Sequence, residues 1–203
     1  MKLYDLELSG NCYKVRLLLS ALGLDYEKVA VNLMEGEHKQ PPFLAINPKG
    51  QVPALDDAGT ILSDSQAILV YLALTYDADR TWLPKDPATQ AQIHFWLSTT
   101  ANEIQNGPSK ARLVKLFKMD LNYDAAVATS SAVLALINDH LAGRDWLVGD
   151  HATIADLAAF PYIALAGDGD IDLSPYGNIA SWITRIKTLP GFVPMPGVEA
   201  AVA

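Results

Sequence analysis

Residues 47–65 read NPKGQVPALDDAGTILSDS and contain two short apolar runs separated by a turn. The runs QVPALDD and GTILS predict a hairpin that turns at residues 57–59, because aspartate and glycine favour tight turns. Pro53 interrupts the first run without an N–H to donate, so it belongs on an edge strand or after a cis peptide bond. In the cis case the N–H and C=O of Val52 would face outward, where an extended peptide could pair with them. Both alternatives stay open on these residues alone.

Strand and helix signals alternate on both sides of this hairpin. Upstream, KLYDLEL (residues 2–8) places Tyr4, Leu6 and Leu8 on one face, which predicts a half-buried strand with Tyr4 in the core. Further predicted elements are a helix over residues 12–22, a second strand over 26–33, a short helix or irregular crossover over 36–47, and a helix capped by Ser63 or Asp64 that runs to about Tyr76. The order βαβαββα over residues 1–77 predicts an α/β domain with a mixed sheet that contains one parallel pair.

The remainder of the chain has a different pattern. Residues 78–87 carry two prolines and mixed charge, and they are interpreted as a linker. Residues 88–203 show helical spacing throughout, with predicted helices over 88–106, 123–141, 153–166 and 178–188. We therefore expect an all-α second domain.

Composition excludes several functional classes. The 203 residues carry a formal net charge of -8, so a phosphate-coated nucleic acid would be repelled on average. Apolar runs fall far short of the roughly 20 residues that a membrane-spanning helix requires, and acidic residues near the start argue against a signal peptide. The single cysteine and four scattered histidines offer no metal-ligand spacing. We expect a cytoplasmic protein without a metal, a membrane segment or a nucleic-acid partner.

The stretch SGNCYKVR (residues 9–16) places a hydroxyl directly before a helix N-terminus. Unpaired backbone N–H groups and the helix dipole favour an anion there, so Ser9 could hold a bound thiolate or phosphate oxygen. Ser9 or Asn11 could equally serve only as the helix cap. Cys12 could have a lowered pKa in the first turn, but a lone cysteine ahead of an apolar stripe is more often a packing residue.

Two further polar stretches suit a short peptide ligand. Asp64 and Ser65 open the next helix, where capping explains one of them, and a carboxylate beside exposed N–H groups would suit a ligand with an amine and a carboxylate. His38 and Lys39 add cations in the crossover, which could also be ordinary solvated surface.

The sequence TIAD at residues 153–156 has the S/T-x-x-D pattern of a capping box before an apolar run. We expect Thr153 and Asp156 to act in folding. Replacement of either should cost on the order of 1 kcal/mol or more.

The order of these stretches resembles that of the cytosolic glutathione S-transferases, over nearly the whole chain. The resemblance rests on a serine before the first helix, then GEHKQPPFLAINPKGQVPAL, ILSDSQAILVYL, a linker, and a helical half that contains TIAD. The central block is most similar to the phi and theta types and their bacterial relatives. The family implies a thioredoxin-like N-terminal domain, an all-helical C-terminal domain that contributes the electrophile pocket, and a homodimer.

The resemblance also implies roles for individual residues. Ser9 would stabilise the glutathione thiolate, and Val52 beside cis-Pro53 would pair with the cysteinyl backbone. Asp64 and Ser65 would hold the γ-glutamyl end. The glycyl end would be reached by His38, Lys39 and Gln51.

Three features depart from the family pattern. Asp64 stands where the phi type usually has glutamate. Asn11 lies near the position of the reactive cysteine in the beta type, whereas Cys12 lies one residue later, so Asn11 is the alternative catalytic residue and a cysteine mechanism is disfavoured. Tyr4 could be the tyrosine that other branches use, but its predicted place in the core argues against this.

The leading hypothesis is a transferase that conjugates glutathione to small apolar electrophiles. A glutathione-dependent disulfide or peroxide reductase and a non-catalytic glutathione-binding protein are the alternatives. The second-pocket residues, expected around residues 104–117, carry no motif that identifies the electrophile.

Overall fold

The computed structural model describes residues 1–200. The N-terminal half contains, in chain order, β1 (Lys2–Asp5), α1 (Gly10–Ala21), β2 (Glu27–Ala30), a 3₁₀ turn (Glu37–Lys39), α2 (Pro41–Leu44), β3 (Ala54–Asp57), β4 (Thr60–Ser63) and α3 (Ser65–Tyr76). This is the predicted βαβαββα order, so the α/β fold class is confirmed.

The four strands form one mixed sheet in the order β2-β1-β3-β4. β1 pairs with β2 in parallel and with β3 antiparallel, and β3 and β4 form the predicted hairpin. Tyr4 pairs with Ala54, and Ala54 pairs with Ser63. This register places the C-terminal ends of β1 and β4 and the N-terminal end of β3 along the same edge of the sheet.

The burial of β1 is opposite to the prediction. Leu3 and Asp5 are completely buried, whereas Tyr4 is half-buried and packs edge-on against Phe43, with ring centroids 6.0 Å apart. Asp5 is tolerated there because the guanidinium of Arg16 lies 2.6 Å from its carboxylate. The prediction is wrong because both faces of the sheet are covered, so polarity alternation does not identify the inner face.

The second half is helical within the described residues. It contains α4 (Pro87–Thr99), a π-helical stretch (Thr100–Ser109), α5 (Lys110–Phe117), α6 (Tyr123–His140), α7 (Ile154–Ala164), a 3₁₀ turn (Ala166–Gly169) and α8 (Gly177–Lys187). The all-α C-terminal bundle is thereby confirmed. None of the helices described in residues 1–200 is both long and apolar enough to traverse a lipid bilayer.

One predicted helix is longer than expected. α4, the π-helical stretch and α5 follow one another without a break from residue 87 to 117. Sequence spacing predicts an end at residue 106, just before Gly107 and Pro108. A wider π turn accommodates a proline that cannot donate to the preceding turn. A Cβ at Gly107 would lie 2.9 Å from the backbone nitrogen of Ser130 on α6, so the glycine permits close helix packing there.

The segment between α3 and α4 is bound to the helical half. Asp77 accepts a hydrogen bond from the Trp82 N–H at 2.6 Å, and the Trp82 carbonyl accepts one from Ile154 at the start of α7. The division into domains at residues 77 and 88 stays a prediction.

Thr153 and Asp156 form a capping box at the N-terminus of α7. Asp156 is completely buried, and its carboxylate accepts hydrogen bonds from the backbone N–H groups of Leu147 and Thr153 and from the indole of Trp182. It therefore joins the cap to the preceding loop and to α8.

Candidate active site at the sheet edge

Ser9 is the N-cap of α1 and lies beyond the C-terminal end of β1. Its hydroxyl oxygen accepts a hydrogen bond from the Cys12 N–H at 3.3 Å. A hydroxyl that accepts in this way keeps its own O–H as a donor. Ser9 thus combines the two predicted roles of helix cap and available donor at a helix N-terminus.

The residue that follows Ser9 is Gly10, and the space there admits only a glycine. A Cβ at this position would lie 2.7 Å from the ring of Tyr162 on α7. The helical half therefore packs directly against the backbone beside Ser9.

Asp64 and Ser65 follow β4 on the same edge of the sheet. Asp64 caps α3, where one carboxylate oxygen accepts from the N–H groups of Gln66 and Ala67. Its φ of 77° is uncommon for a residue other than glycine, and such strain is concentrated at functional sites. Ser65 is buried, and its hydroxyl lies 2.6 Å from Oε1 of Gln66 and 3.3 Å from Oδ1 of Asn11. The structure thus brings the start of α3 against the start of α1.

Val52 lies two residues before β3, and the Val52–Pro53 peptide bond is cis. Of the two alternatives that the sequence left open, the structure has the cis bond. Within residues 1–200, no hydrogen bond occupies the N–H or C=O of Val52. Both groups are therefore available at the edge that also carries Ser9 and Asp64.

His38, Lys39 and Gln51 lie farther along the chain from Ser9, and Lys39 contacts the segment that leads into Gln51. The Lys39 ammonium donates to the carbonyl of Gly50 at 3.0 Å, directly before Gln51. Gln51 is exposed, and its backbone carbonyl accepts from Asn47. His38 is half-buried, and its Nδ1 atom has no hydrogen-bond partner within the described chain. This group forms a polar loop ahead of Val52.

Asn11 is held by several neighbours in the first turn of α1. Its Oδ1 atom accepts a hydrogen bond from Lys14 at 2.7 Å, and its Nδ2 atom lies 3.5 Å from Oε1 of Gln105 in the helical half. Asn11 is therefore a contact between the two halves of the protein.

Cys12 is unsuited to act as a nucleophile. The side chain is completely buried, and burial raises the pKa of its thiol to about 12, with the nearby Asp5 carboxylate adding to the shift. Because the thiolate is the reactive form of cysteine, the geometry agrees with the prediction that a cysteine mechanism is disfavoured.

The sequence-based prediction names no role for three polar residues of this region, Lys14, Gln105 and Arg112, although the last two lie in the segment 104–117 that is expected to contribute to the second pocket. Arg112 is buried and donates to the carbonyl of Leu8 at 2.8 Å and to Asp168 at 2.8 Å, so the helical half holds the loop that carries Ser9. Lys14 is detectable in principle as a cation on a helix whose other residues are mostly apolar. Gln105 and Arg112 have no local signal.

No metal site is evident at this edge. Across the described residues 1–200, no group of three or more His, Cys, Asp or Glu side chains could hold a metal ion.

The mixed sheet and its helices form a thioredoxin-like N-terminal domain, and the second half of the chain is an all-helical domain. The Ser9 hydroxyl lies at the start of α1. The chain matches two family descriptions, "Glutathione S-transferase, N-terminal domain" over residues 1–74 and "Glutathione S-transferase, C-terminal domain" over residues 112–190.

Individual proteins agree with these matches. The chain is 35% identical to glutathione S-transferase 3 of Zea mays, in an alignment that covers 97% of this chain and 96% of the relative. It is 30% identical to glutathione S-transferase D7 of Anopheles gambiae, over 91% of this chain and 85% of the relative. The crystal structure of a glutathione S-transferase from Pseudomonas fluorescens Pf-5 superposes with a TM-score of 0.89 at 34% identity, and covers 96% of this chain and 98% of that chain.

The chain therefore belongs to the glutathione S-transferase family, as the order of its motifs predicts. Its assignment to a phi- or theta-like serine branch stays a prediction, as do the individual roles of the site residues.

Proposed function

We propose that this glutathione S-transferase binds glutathione along the sheet edge, keeps its sulfur ionised with the Ser9 hydroxyl, and transfers it to small apolar electrophiles. The observation that carries the proposal is the strand register, because it brings Ser9, Val52 and Asp64 to one edge of the sheet.

Each part of an extended tripeptide has a suitable partner along this edge. The unoccupied N–H and C=O of Val52 would pair with the cysteinyl backbone. Asp64 and the start of α3 would take the γ-glutamyl amine and carboxylate, since the second oxygen of Asp64 is not used in capping. Lys39 and Gln51 are exposed and, with His38, would bind the glycyl carboxylate.

The mechanism needs no general base. A free thiol has a pKa near 8.5, and lowering that pKa by roughly two units corresponds to about 2.7 kcal/mol. A charge-assisted hydrogen bond from Ser9 together with the N-terminal dipole of α1 is sufficient for this change. The thiolate then attacks an electrophilic carbon: a C–S bond forms, and the bond to the leaving group breaks with its electron pair.

The electrophile would lie between α1 and the helical half. Within the predicted segment 104–117, Ile104 and Ala111 are completely buried in the core and cannot line an open pocket. Phe117 is half-buried, and its ring lies 5.5 Å from the guanidinium of Arg112, which itself holds the Ser9 loop. We therefore place the apolar wall at the C-terminal end of α5.

We also propose a cytoplasmic homodimer. A groove of about 560 Å³ runs between α3 and α4 and is lined in part by Val70, Leu74 and Leu97. Leu74, which lines this groove, exposes 46% of its surface and would be covered in an interface. Analytical ultracentrifugation should give twice the 22.0 kDa mass of the chain; a monomer at micromolar concentration would contradict this part of the proposal.

The decisive experiment is conjugation of glutathione to a generic aryl halide by the wild type and by Ser9→Ala. Loss of a hydrogen bond to a charged sulfur should lower kcat/KM by roughly 10- to 100-fold. Ser9→Thr retains both the hydroxyl and the cap, so it should keep most of the activity. Ser131→Ala, which removes an exposed hydroxyl on α6, is the matched control. Because Ser9→Ala also removes a cap worth about 1 kcal/mol, urea unfolding must accompany the assay.

Other outcomes would select the alternative functions. Turnover that is unchanged in Ser9→Ala would remove Ser9 from the mechanism. Reduction of a model mixed disulfide without conjugation would indicate a glutathione-dependent reductase. Tight glutathione binding in calorimetry with no turnover of a broad electrophile panel would indicate a binding protein.

A further inference from the structure

Lys14 is a buried cation that the proposed function does not use. Only 1% of its surface is exposed, and its ammonium lies 5.5 Å from the ring centroid of Tyr162. The one hydrogen bond that the Lys14 side chain makes within residues 1–200 is to Oδ1 of Asn11, at 2.7 Å. A buried amine with a single acceptor is costly, so the fold holds it there against a desolvation penalty.

The burial of Lys14 changes the pKa of its ammonium group. Burial lowers its pKa to about 7, and the nearby carboxylate of Asp64 partly offsets the effect. The groups that face it are Asp64 from the turn before α3, Tyr162 from α7 and Cys12 on its own helix. Both the charged and the neutral amine donate hydrogen bonds, so the contact with Asn11 persists across neutral pH.

The contact fixes the orientation of the Asn11 amide. Lys14 donates to Oδ1 at 2.7 Å, so the oxygen must face the lysine; the Ser65 hydroxyl, whose shorter contact is with Gln66 Oε1 at 2.6 Å, lies 3.3 Å from the same oxygen. The Nδ2 group is consequently turned the other way, toward Gln105 in the helical half. An amide NH₂ has two N–H bonds, and the weak 3.5 Å contact with Gln105 uses only one of them.

We propose that Lys14 is a positioning residue for thiol activation: it locks the Asn11 amide so that Nδ2 donates a hydrogen bond to the glutathione sulfur beside the Ser9 hydroxyl. This inference rests on the proposed function and extends it, because Ser9 and Asn11 then act together rather than as alternatives. Without Lys14 the amide could rotate and present its oxygen to the sulfur, which would repel the thiolate.

The test compares five variants with a wild type already shown to bind and turn over glutathione. Lys14→Met removes the donor and should raise the pKa of the bound thiol by about one unit, which lowers kcat about tenfold at a pH below both thiol pKa values and about threefold at pH 7, while KM for glutathione changes little. Lys14→Gln retains a neutral donor and should keep most of the activity. In an Asn11→Ala background, Lys14→Met should cause no further loss, because the two residues act as one unit.

Asn11→Asp distinguishes a loss of activity from a loss of folding. The new carboxylate can still accept from Lys14 and Ser65, so unfolding in urea should require at least as much denaturant as in the wild type. It has no N–H to donate, and activity should fall as far as in Asn11→Ala. The thiol pKa is read from the ultraviolet absorbance of bound thiolate as a function of pH.

The proposal is overturned if Lys14→Met or Asn11→Asp retains wild-type kcat, if Lys14→Gln loses as much as Lys14→Met, or if the losses in the double variant multiply. These results would leave the proposed function intact as long as Ser9→Ala remains impaired. If the wild type neither binds nor turns over glutathione, the proposed function itself has failed.

Discussion

Asp156 offers the sharpest test of how the helical half is held together. Its carboxylate accepts from three buried donors at 2.9 Å, namely the N–H groups of Leu147 and Thr153 and the indole of Trp182. Asp156→Ala leaves all three without a protein acceptor, and each unsatisfied buried donor costs roughly 1 to 2 kcal/mol. The sum is about 3 to 6 kcal/mol, a large share of the roughly 5 to 15 kcal/mol that stabilises an ordinary domain.

The lower end of that range is the better expectation. The carboxylate is completely buried, and burial raises its pKa, so removing the side chain also relieves a desolvation penalty. We expect Asp156→Ala to lower the free energy of unfolding by about 3 kcal/mol. A cap that acted only on its own helix would give about 1 kcal/mol.

Asp156→Asn separates the three contacts. Its amide oxygen can still accept from Leu147 and Trp182, while its NH₂ would face the N–H of Thr153. About half of the alanine effect is therefore expected. Asp79→Ala removes an exposed carboxylate in the segment between the two halves and should stay within about 0.5 kcal/mol of the wild type.

The measurement is urea unfolding followed by tryptophan fluorescence, because Trp182 itself contacts Asp156. A loss below about 1 kcal/mol in Asp156→Ala would show that the three donors find other acceptors. The reasoning from buried hydrogen bonds would then be wrong for this site.

Two further predictions concern α1. Because burial raises the Cys12 pKa to about 12, its thiol should not react with a chromogenic disulfide at neutral or mildly alkaline pH, and should react once urea unfolds the protein; rapid modification of the native protein would contradict the burial. Arg16→Met should destabilise the fold by about 3 to 5 kcal/mol, since it leaves the completely buried Asp5 with only the more distant Lys28 as a cation. Adding Asp5→Asn should recover much of that loss in urea unfolding, and an Arg16→Met variant as stable as the wild type would refute the role of the pair.

Much of the N-terminal half is predictable because its signals are local. The turn at residues 57–59, the proline at position 53 and the small polar residues before α1 and α3 each act within a few residues of the chain. The capping box at Thr153 and Asp156 is local in the same way, because its four-residue pattern is complete within TIAD.

The wrong predictions concern features that depend on how neighbouring elements pack. The inner face of β1 is mispredicted because both of its faces meet helices: Tyr4 packs on Phe43 of α2, and the ion pair with Arg16 of α1 allows Asp5 to be buried on the other side. The helix from residue 87 to 117 is predicted to end too early because a glycine and a proline usually terminate helices, whereas here a π turn continues past them.

The amino-acid sequence by itself determined the order of strands and helices over residues 1–77, the capping box at Thr153 and Asp156, and the places of Ser9 and Asp64 directly before their helices, because these follow from periodicity and turn chemistry over short spans. Only the tertiary structure decided which side chains meet across the two halves. Asn11 and Gln105 are 94 residues apart, and Leu8 and Arg112 are 104 residues apart. The physical reason is that such contacts are set by how the sheet and the helices pack together, and no short stretch of sequence specifies that packing.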